Sequence, residues 1–218
     1  MIAQIKTTAR SKADYSLCLV TDRAILSAPT LAEAVEQGIA GGVTMVQLRE
    51  KNAPGSEIYA LAVELKAICD KSGIPLIIND RADIALAVGA AGVHVGQSDL
   101  PARAVRRMLG EACILGVSAT SVQEAVQAQA DGADYIGVGA MVPTGSKADA
   151  KIVDLETLAA IRAAVSIPVM VIGGLNAGNL PPFMHVGADG VAVISAILAQ
   201  ADIRSAAADI RGVIEQNK

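Results

Sequence analysis

Gly89-Ala90-Ala91-Gly92-Val93-His94-Val95 is the first of three related segments in this chain. Gly132-Ala133-Asp134-Tyr135-Ile136-Gly137-Val138 and Gly187-Ala188-Asp189-Gly190-Val191-Ala192-Val193 repeat its plan. Each reads as the end of a helix, a Gly-Ala turn and the start of a short buried strand, because glycine stops helices and Val/Ile runs favour strands. Gly89 and Gly132 are 43 residues apart, and Gly132 and Gly187 are 55 apart, close to two strand–helix units each. A chain that keeps returning from helix to strand in this way builds a parallel sheet through right-handed crossovers.

Outward from these segments the same alternation runs the length of the chain. Candidate strands are Leu17–Val20, Met45–Leu48, Leu76–Ile78, Gly92–Val95, Ile114–Val117, Tyr135–Val138, Val169–Ile172 and Val191–Ile194. Helical stripes lie between them, such as Ile58, Leu61, Leu65, Ile68 and Cys69, or Leu155, Leu158, Ile161 and Val165. Thr30, Ser121 and Asn176 read as helix openers. Eight such units in 218 residues predict a single (β/α)8 TIM barrel spanning residues 1–218, with 1–15 as an extension before the first strand. The extra length before the third segment falls in Gly139–Asp154, longer than the other turns and therefore a place to look for function.

Composition narrows the class. Hydrophobic residues are 52% of the chain but aromatic residues only 2%, so the core is aliphatic, as suits strands buried on both faces. A net charge of −4 with few stacking rings argues against a nucleic-acid partner. Met1–Asp14 holds no apolar signal core, and no apolar run reaches the roughly 18 residues of a membrane span. Cys18, Cys69 and Cys113 are an odd number at wide spacing, which reads as free thiols in a reducing compartment. The expectation is a cytoplasmic protein without membrane partners; a homo-oligomer stays open.

In a barrel of this kind chemistry sits where strands end. Gln47-Leu48-Arg49-Glu50-Lys51 closes the second strand, and alternation puts Gln47, Arg49 and Lys51 on one face, Val46 and Leu48 on the other. An arginine and a lysine there suit an anion clamp, against the plainer reading of a solvated strand end. Asn79-Asp80 closes the third strand, and Gln97-Ser98-Asp99 follows the fourth. Asp80 and Asp99 would repel a nearby phosphate unless a hard cation such as Mg²⁺ lay between, the alternative being a structural ion-pair network. Pro143-Thr144-Gly145-Ser146-Lys147 has the hydroxyls, glycine and lysine of a phosphate-binding loop, without the spacing of a Walker motif. Gly173-Gly174 and Ile194-Ser195 close strands seven and eight, the usual phosphate seat of this fold. Ser118 follows the fifth strand as a further candidate. His94 reads as packed or hydrogen-bonded rather than catalytic, and His185 receives no role. Two anion sites, one suited to a monophosphate and one to a metal-bound diphosphate, point to the joining of two phosphorylated small molecules with loss of diphosphate.

These motifs resemble the thiamine-phosphate synthase family. The match rests on Gln47-Leu48-Arg49-Glu50-Lys51, Ile78-Asn79-Asp80-Arg81, His94-Val95-Gly96-Gln97-Ser98-Asp99, Leu115-Gly116-Val117-Ser118, Pro143-Thr144-Gly145-Ser146-Lys147 and Ile172-Gly173-Gly174, in order from the first strand to the last. The resemblance implies a transferase that condenses 4-amino-2-methyl-5-hydroxymethylpyrimidine diphosphate with a thiazole phosphate. It implies Mg²⁺ on Asp80 and Asp99. It implies the pyrimidine diphosphate on Gln47 to Lys51, Asn79, Ser118 and Lys147, and the thiazole phosphate on Thr144, Gly145, Ser146, Gly174, Ile194 and Ser195. Arg49, Lys51, Ser118 and Lys147 are the residues implied to act on the leaving group. Gly139-Ala140-Met141-Val142 departs from the family's usual Gly-Pro, aliphatic, aromatic pattern. A thiazole tautomerase and a non-catalytic thiazole- or thiamine-phosphate-binding barrel are the alternatives; Asp80, Asp99 and Lys147 together speak against the first, and the acidic pair Asp80 and Asp99 against the second. An aldolase or isomerase barrel would need a Lys in a strand interior or an evident Glu or His base.

Overall fold

The computed structural model describes residues 13–143 and 151–217. Within them eight parallel strands close on themselves in sequence order: β1 (Leu17–Val20), β2 (Met45–Leu48), β3 (Leu76–Asn79), β4 (Gly92–Val95), β5 (Ile114–Ala119), β6 (Tyr135–Val138), β7 (Val169–Ile172) and β8 (Gly190–Val193). The described helices are α1 (Leu31–Ala40), α2 (Gly55–Ser72), α3 (Ala82–Val88), α4 (Ala102–Leu109), α5 (Val122–Ala130), α6 (Leu155–Ala164), α7 (Pro181–His185), α8 (Ser195–Leu198) and α9 (Ile203–Gln216). The expected barrel is therefore present, and most strand boundaries coincide with the sequence reading. Strand β5 runs on through Ser118, so that side chain belongs to a strand and not to the loop after it.

Alternation along each strand sorts side chains into two cores. Cys18, Val20, Met45, Ile77, Ile114, Tyr135, Met170 and Ala192 fill the barrel interior. Their strand neighbours, among them Leu19, Val46, Leu48, Ile78, Leu115 and Ile136, pack outward against the helices. Truncating one of these outward leucines or isoleucines to alanine costs about 2–5 kcal/mol. The lower end of the barrel is closed by Ala13 and Tyr15, which pack on the interior cluster, Tyr15 at 5.2 Å from the Tyr135 ring. Residues 13–15 are the only described part of the expected extension.

Helix openings follow the side-chain chemistry. Thr30 accepts from the Glu33 N–H, Ser121 from that of Glu124 and Asp154 from that of Thr157, each satisfying a donor that the first turn leaves orphaned. Asn176 behaves differently from expectation. Its side chain accepts from the Gly178 N–H and closes a turn, and α7 begins only at Pro181. Within the α6 stripe, Leu158 and Ile161 are buried but Leu155, in the first turn, is 40% exposed.

Candidate active site

The C-terminal ends of the strands open into a cavity of about 600 Å³. Its floor is apolar, from Cys18, Val20, Met170 and Ala192, and its rim carries the charges. Gln47 reaches it from inside β2, only 6% exposed, and Arg49 and Lys51 continue the same face as alternation requires. The β2 end is held in register by Arg49 N–H donating to Thr21 Oγ1 at 2.9 Å. Leu48 and Glu50 take the other face and stand apart from this set. Leu48 is buried under the helices, and Glu50 accepts from Arg23 Nε at 2.8 Å. Their neighbours in the motif line the cavity because the backbone pleat turns every second side chain away from it.

Asp80 and Asp99 both line the cavity. Lys51 Nζ lies 3.2 Å from Asp80 Oδ2, and Asp99 Oδ2 accepts from the Gly96 N–H at 2.7 Å. Burial raises the Asp80 carboxyl above its ordinary value, the neighbouring Asp99 carboxyl raises it further, and Lys51 pulls it back. Asp80 sits at φ 63, the one non-glycine at positive φ among the described residues. Its N–H donates to the His94 carbonyl at 2.8 Å, so a strained backbone is held by the neighbouring strand, as happens at functional positions. Two crowded carboxylates served by one lysine are a hard-oxygen pair with negative charge in surplus. That donor set fits a divalent cation completed by substrate oxygens and water, although it includes no third acidic, histidine or cysteine ligand among the described residues.

Loops six to eight form the opposite wall. Ala140 N–H donates to the Lys151 carbonyl and Val153 N–H to the Ala140 carbonyl, tying the two limbs of the long sixth loop together. Met141 and Val142 donate their N–H groups to the Ile172 and Gly173 carbonyls, which lays this limb along the end of β7. The Ala140–Val142 departure therefore falls where the backbone makes the contacts. Gly174, Ile194 and Ser195 line the cavity beside this limb. Thr144, Gly145, Ser146 and Lys147 lie outside the described residues.

The cavity also takes in residues given no role from sequence. His94 is 8% exposed, with Nδ1 at 2.9 Å from Tyr135 Oη and Nε2 at 2.9 Å from Ser118 Oγ. It is hydrogen-bonded as expected, yet it lines the cavity, as does Tyr135. Strand parity carried that signal, since Val93 and Val95 must face the helices. Lys151 adds a third cation to the described lining and Glu124 a third acid, although Glu124 is committed to Thr120 N–H and Oγ1. Asn79 stands inside the barrel mouth between Gln47 and His94 in the strand order.

Arg49 and Lys51 on one side of this mouth, with Lys151, Gly173, Gly174 and Ser195 on the other, define a barrel enzyme acting on small phosphorylated molecules. A family model described as thiamine monophosphate synthase matches residues 17–197. The thiamine-phosphate synthase of Ruminiclostridium cellulolyticum is 59% identical over 91% of this chain and 94% of its own. That of Clostridium beijerinckii is 54% identical over 93% and 97%. The solved thiamine phosphate pyrophosphorylase from Pyrococcus furiosus superposes with a TM-score of 0.87 at 36% identity, over 94% of this chain and 98% of its own. The chain belongs to the thiamine monophosphate synthase family and is a transferase of thiamine biosynthesis. Neither the tautomerase nor the non-catalytic reading finds support in these relatives.

Proposed function

We propose that this chain joins 4-amino-2-methyl-5-hydroxymethylpyrimidine diphosphate to a thiazole phosphate, giving thiamine phosphate and diphosphate. The observation that carries the reading is the Asp80–Asp99 pair beside Lys51 at the rim of a cavity large enough for two small substrates. In this reading Asp80 and Asp99 hold Mg²⁺, which when bound neutralises the charge of the diphosphate leaving group. Arg49, Lys51 and Lys147 bind the same oxygens. Ser118 reaches the diphosphate beside them, Gln47 and Asn79 orient the pyrimidine half, and Thr144, Gly145, Ser146, Gly174, Ile194 and Ser195 seat the thiazole phosphate opposite.

The reaction is dissociative. The C–O bond to diphosphate breaks first, the electron-rich aminopyrimidine carries the methylene cation, and the thiazole nitrogen closes the new C–N bond. Such chemistry asks for positioning and for stabilised leaving-group charge, with little proton transfer, and the apolar floor keeps competing water from the cation. It accounts for a mouth rich in anion binders. Free buried thiols at Cys18, Cys69 and Cys113 suit a cytoplasmic enzyme, and no described helix is long and apolar enough to cross a membrane. Exposed Tyr59 and Val63 on α2 and Leu86 on α3 would suit a homo-oligomer.

Incubation with both phosphorylated substrates and Mg²⁺, with diphosphate and thiamine phosphate both quantified, tests the reading. Equal yields that vanish on chelation, or when the thiazole phosphate is withheld, are expected. Asp80→Ala and Asp99→Ala should each lower turnover at least roughly 10³-fold, as loss of a main electrostatic stabiliser does, with the thermal transition retained. No product from the wild-type chain would end the synthase reading, and wild-type turnover in either variant would end the metal assignment.

A further inference from the structure

We propose that His94 and Tyr135 are positioning residues that fix the Ser118 hydroxyl as a hydrogen-bond donor to the departing diphosphate, an inference that rests on the synthase reading. The three side chains lie inside the barrel on consecutive strands, β4, β6 and the β5 between them. His94 bridges the other two, with 2.9 Å from Nδ1 to Tyr135 Oη and 2.9 Å from Nε2 to Ser118 Oγ.

The direction of this chain follows from its deep end. Tyr135 is 2% exposed, and a phenol so placed keeps its proton at neutral pH; burial pushes it well above its ordinary value. His94 Nδ1 lies 2.9 Å from its oxygen, and a buried donor is rarely left unpaired, so Tyr135 O–H donates to His94 Nδ1. A neutral imidazole that accepts at Nδ1 carries its hydrogen on Nε2, and Nε2–H then donates to Ser118 Oγ. One acceptor position of the serine is thereby filled from below. Its hydroxyl hydrogen turns the other way, into the cavity that Ser118 lines. Without the tyrosine, His94 could carry its hydrogen on Nδ1, and the serine hydroxyl could equally donate to Nε2.

The barrel is hollowed to admit this chain. A Cβ on Gly116 of β5 would collide with the Tyr135 ring and hydroxyl and come within 2.5 Å of His94 Nδ1. A Cβ on Gly137 of β6 would sit 2.9 Å from His94 Cε1. Any larger residue at either place would displace the histidine or the tyrosine. An apolar interior would have filled the same space with less difficulty, since each buried polar group here must find a partner. A donor aimed at the leaving group helps most as negative charge gathers on the diphosphate, so its loss should appear in kcat with little change in KM.

The test is a double-mutant cycle on diphosphate release, with kcat and the KM for the pyrimidine diphosphate measured separately. Ser118→Ala, Tyr135→Phe and His94→Leu should each lower kcat roughly tenfold, less than the 10²–10³ of a principal oxyanion donor because cations share the load. KM should stay within about twofold. Tyr135→Phe or His94→Leu added to Ser118→Ala should cost no further activity, because both act through the missing hydroxyl. His94→Gln, whose amide can still donate to Ser118, should recover most of what His94→Leu loses; this pair carries the test if Tyr135→Phe fails to fold. Multiplicative losses in the double variants, an effect on KM alone, or His94→Gln as slow as His94→Leu would overturn the inference while leaving the synthase reading intact. An inactive wild-type chain would remove both.

Discussion

At the scale of single residues, the repeated Gly-Ala-Asp segments show one sequence pattern doing one physical job in two settings. Asp134 Oδ2 accepts from the Leu115 N–H at 2.8 Å, and Asp189 Oδ2 accepts from the Val169 N–H at 2.8 Å, each tying a strand start to the neighbour before it. Around Asp134 the site is closed. Arg106 Nη2 lies 2.6 Å away, with both side chains less than a tenth exposed, and Arg106 also donates to the Gly110, Cys113 and Gly132 carbonyls. Around Asp189 it is open, its side chain 43% exposed and Arg162 at 3.6 Å. Asp134→Ala should therefore lower the unfolding free energy by about 3–5 kcal/mol, because it strands a buried guanidinium. Asp189→Ala should cost only about 1 kcal/mol, one hydrogen bond and a solvated pair. Urea denaturation of both variants measures this, and equal losses would refute the role given to burial. Arg106 had no signal in the sequence. It stands in α4 among other arginines, Arg103 and Arg107, and only the packed structure distinguishes it from them.

At the scale of elements, Ala140–Val142 at the start of the sixth loop and the short seventh loop act as one piece. Gly173 and Gly174 hold φ of 100° and 67°, and a Cβ on Gly174 would lie 2.8 Å from the Val142 Cβ and 2.9 Å from its carbonyl oxygen. Gly174→Ala should push the two loops apart and combine that clash with a left-handed backbone costing about 1 kcal/mol. The expected outcome is a KM for the thiazole phosphate raised roughly tenfold, the size of a 1.4 kcal/mol loss, with the pyrimidine diphosphate KM unchanged. A selective effect on the pyrimidine diphosphate would place the two substrates the other way round. The glycine pair and the loop were both legible as phosphate-binding candidates. Their mutual packing was not, because it depends on the Met141 and Val142 N–H groups reaching the end of β7, a contact between segments some thirty residues apart. Asn176 was misread for a related reason: an Asx turn and a helix cap use the same side-chain acceptor, and the prolines at 181 and 182 delay the helix start.

At the scale of the molecule, the free thiols of Cys18, Cys69 and Cys113 couple stability to pH. Burial raises all three above their ordinary value of 9.0, Cys69 to about 12. Below pH 9 folded and unfolded chains both keep these protons. Between about pH 9 and 12 the unfolded chain releases protons that the folded chain retains, so stability falls as pH rises, by about 1.4 kcal/mol per pH unit for each thiol fully within that window. Urea midpoints at about pH 8 and pH 10 should show the fall, and Cys69→Ala should flatten it; an unchanged slope in that variant would contradict it. Much of the architecture was already determined along the chain. Gly-Ala turns recurring before Val-rich strands, together with strict alternation, dictate a parallel barrel, and they place Gln47, Arg49 and Lys51 on one face and Leu48 on the other, since the pleat is a local property of the backbone. What only the tertiary structure decided is which strand ends meet: Lys51 with Asp80, Asp80 with Asp99, and His94 with a tyrosine 41 residues away. Those distances depend on how the closed sheet staggers and tilts its strands, a condition imposed by all eight together and written in none of them alone.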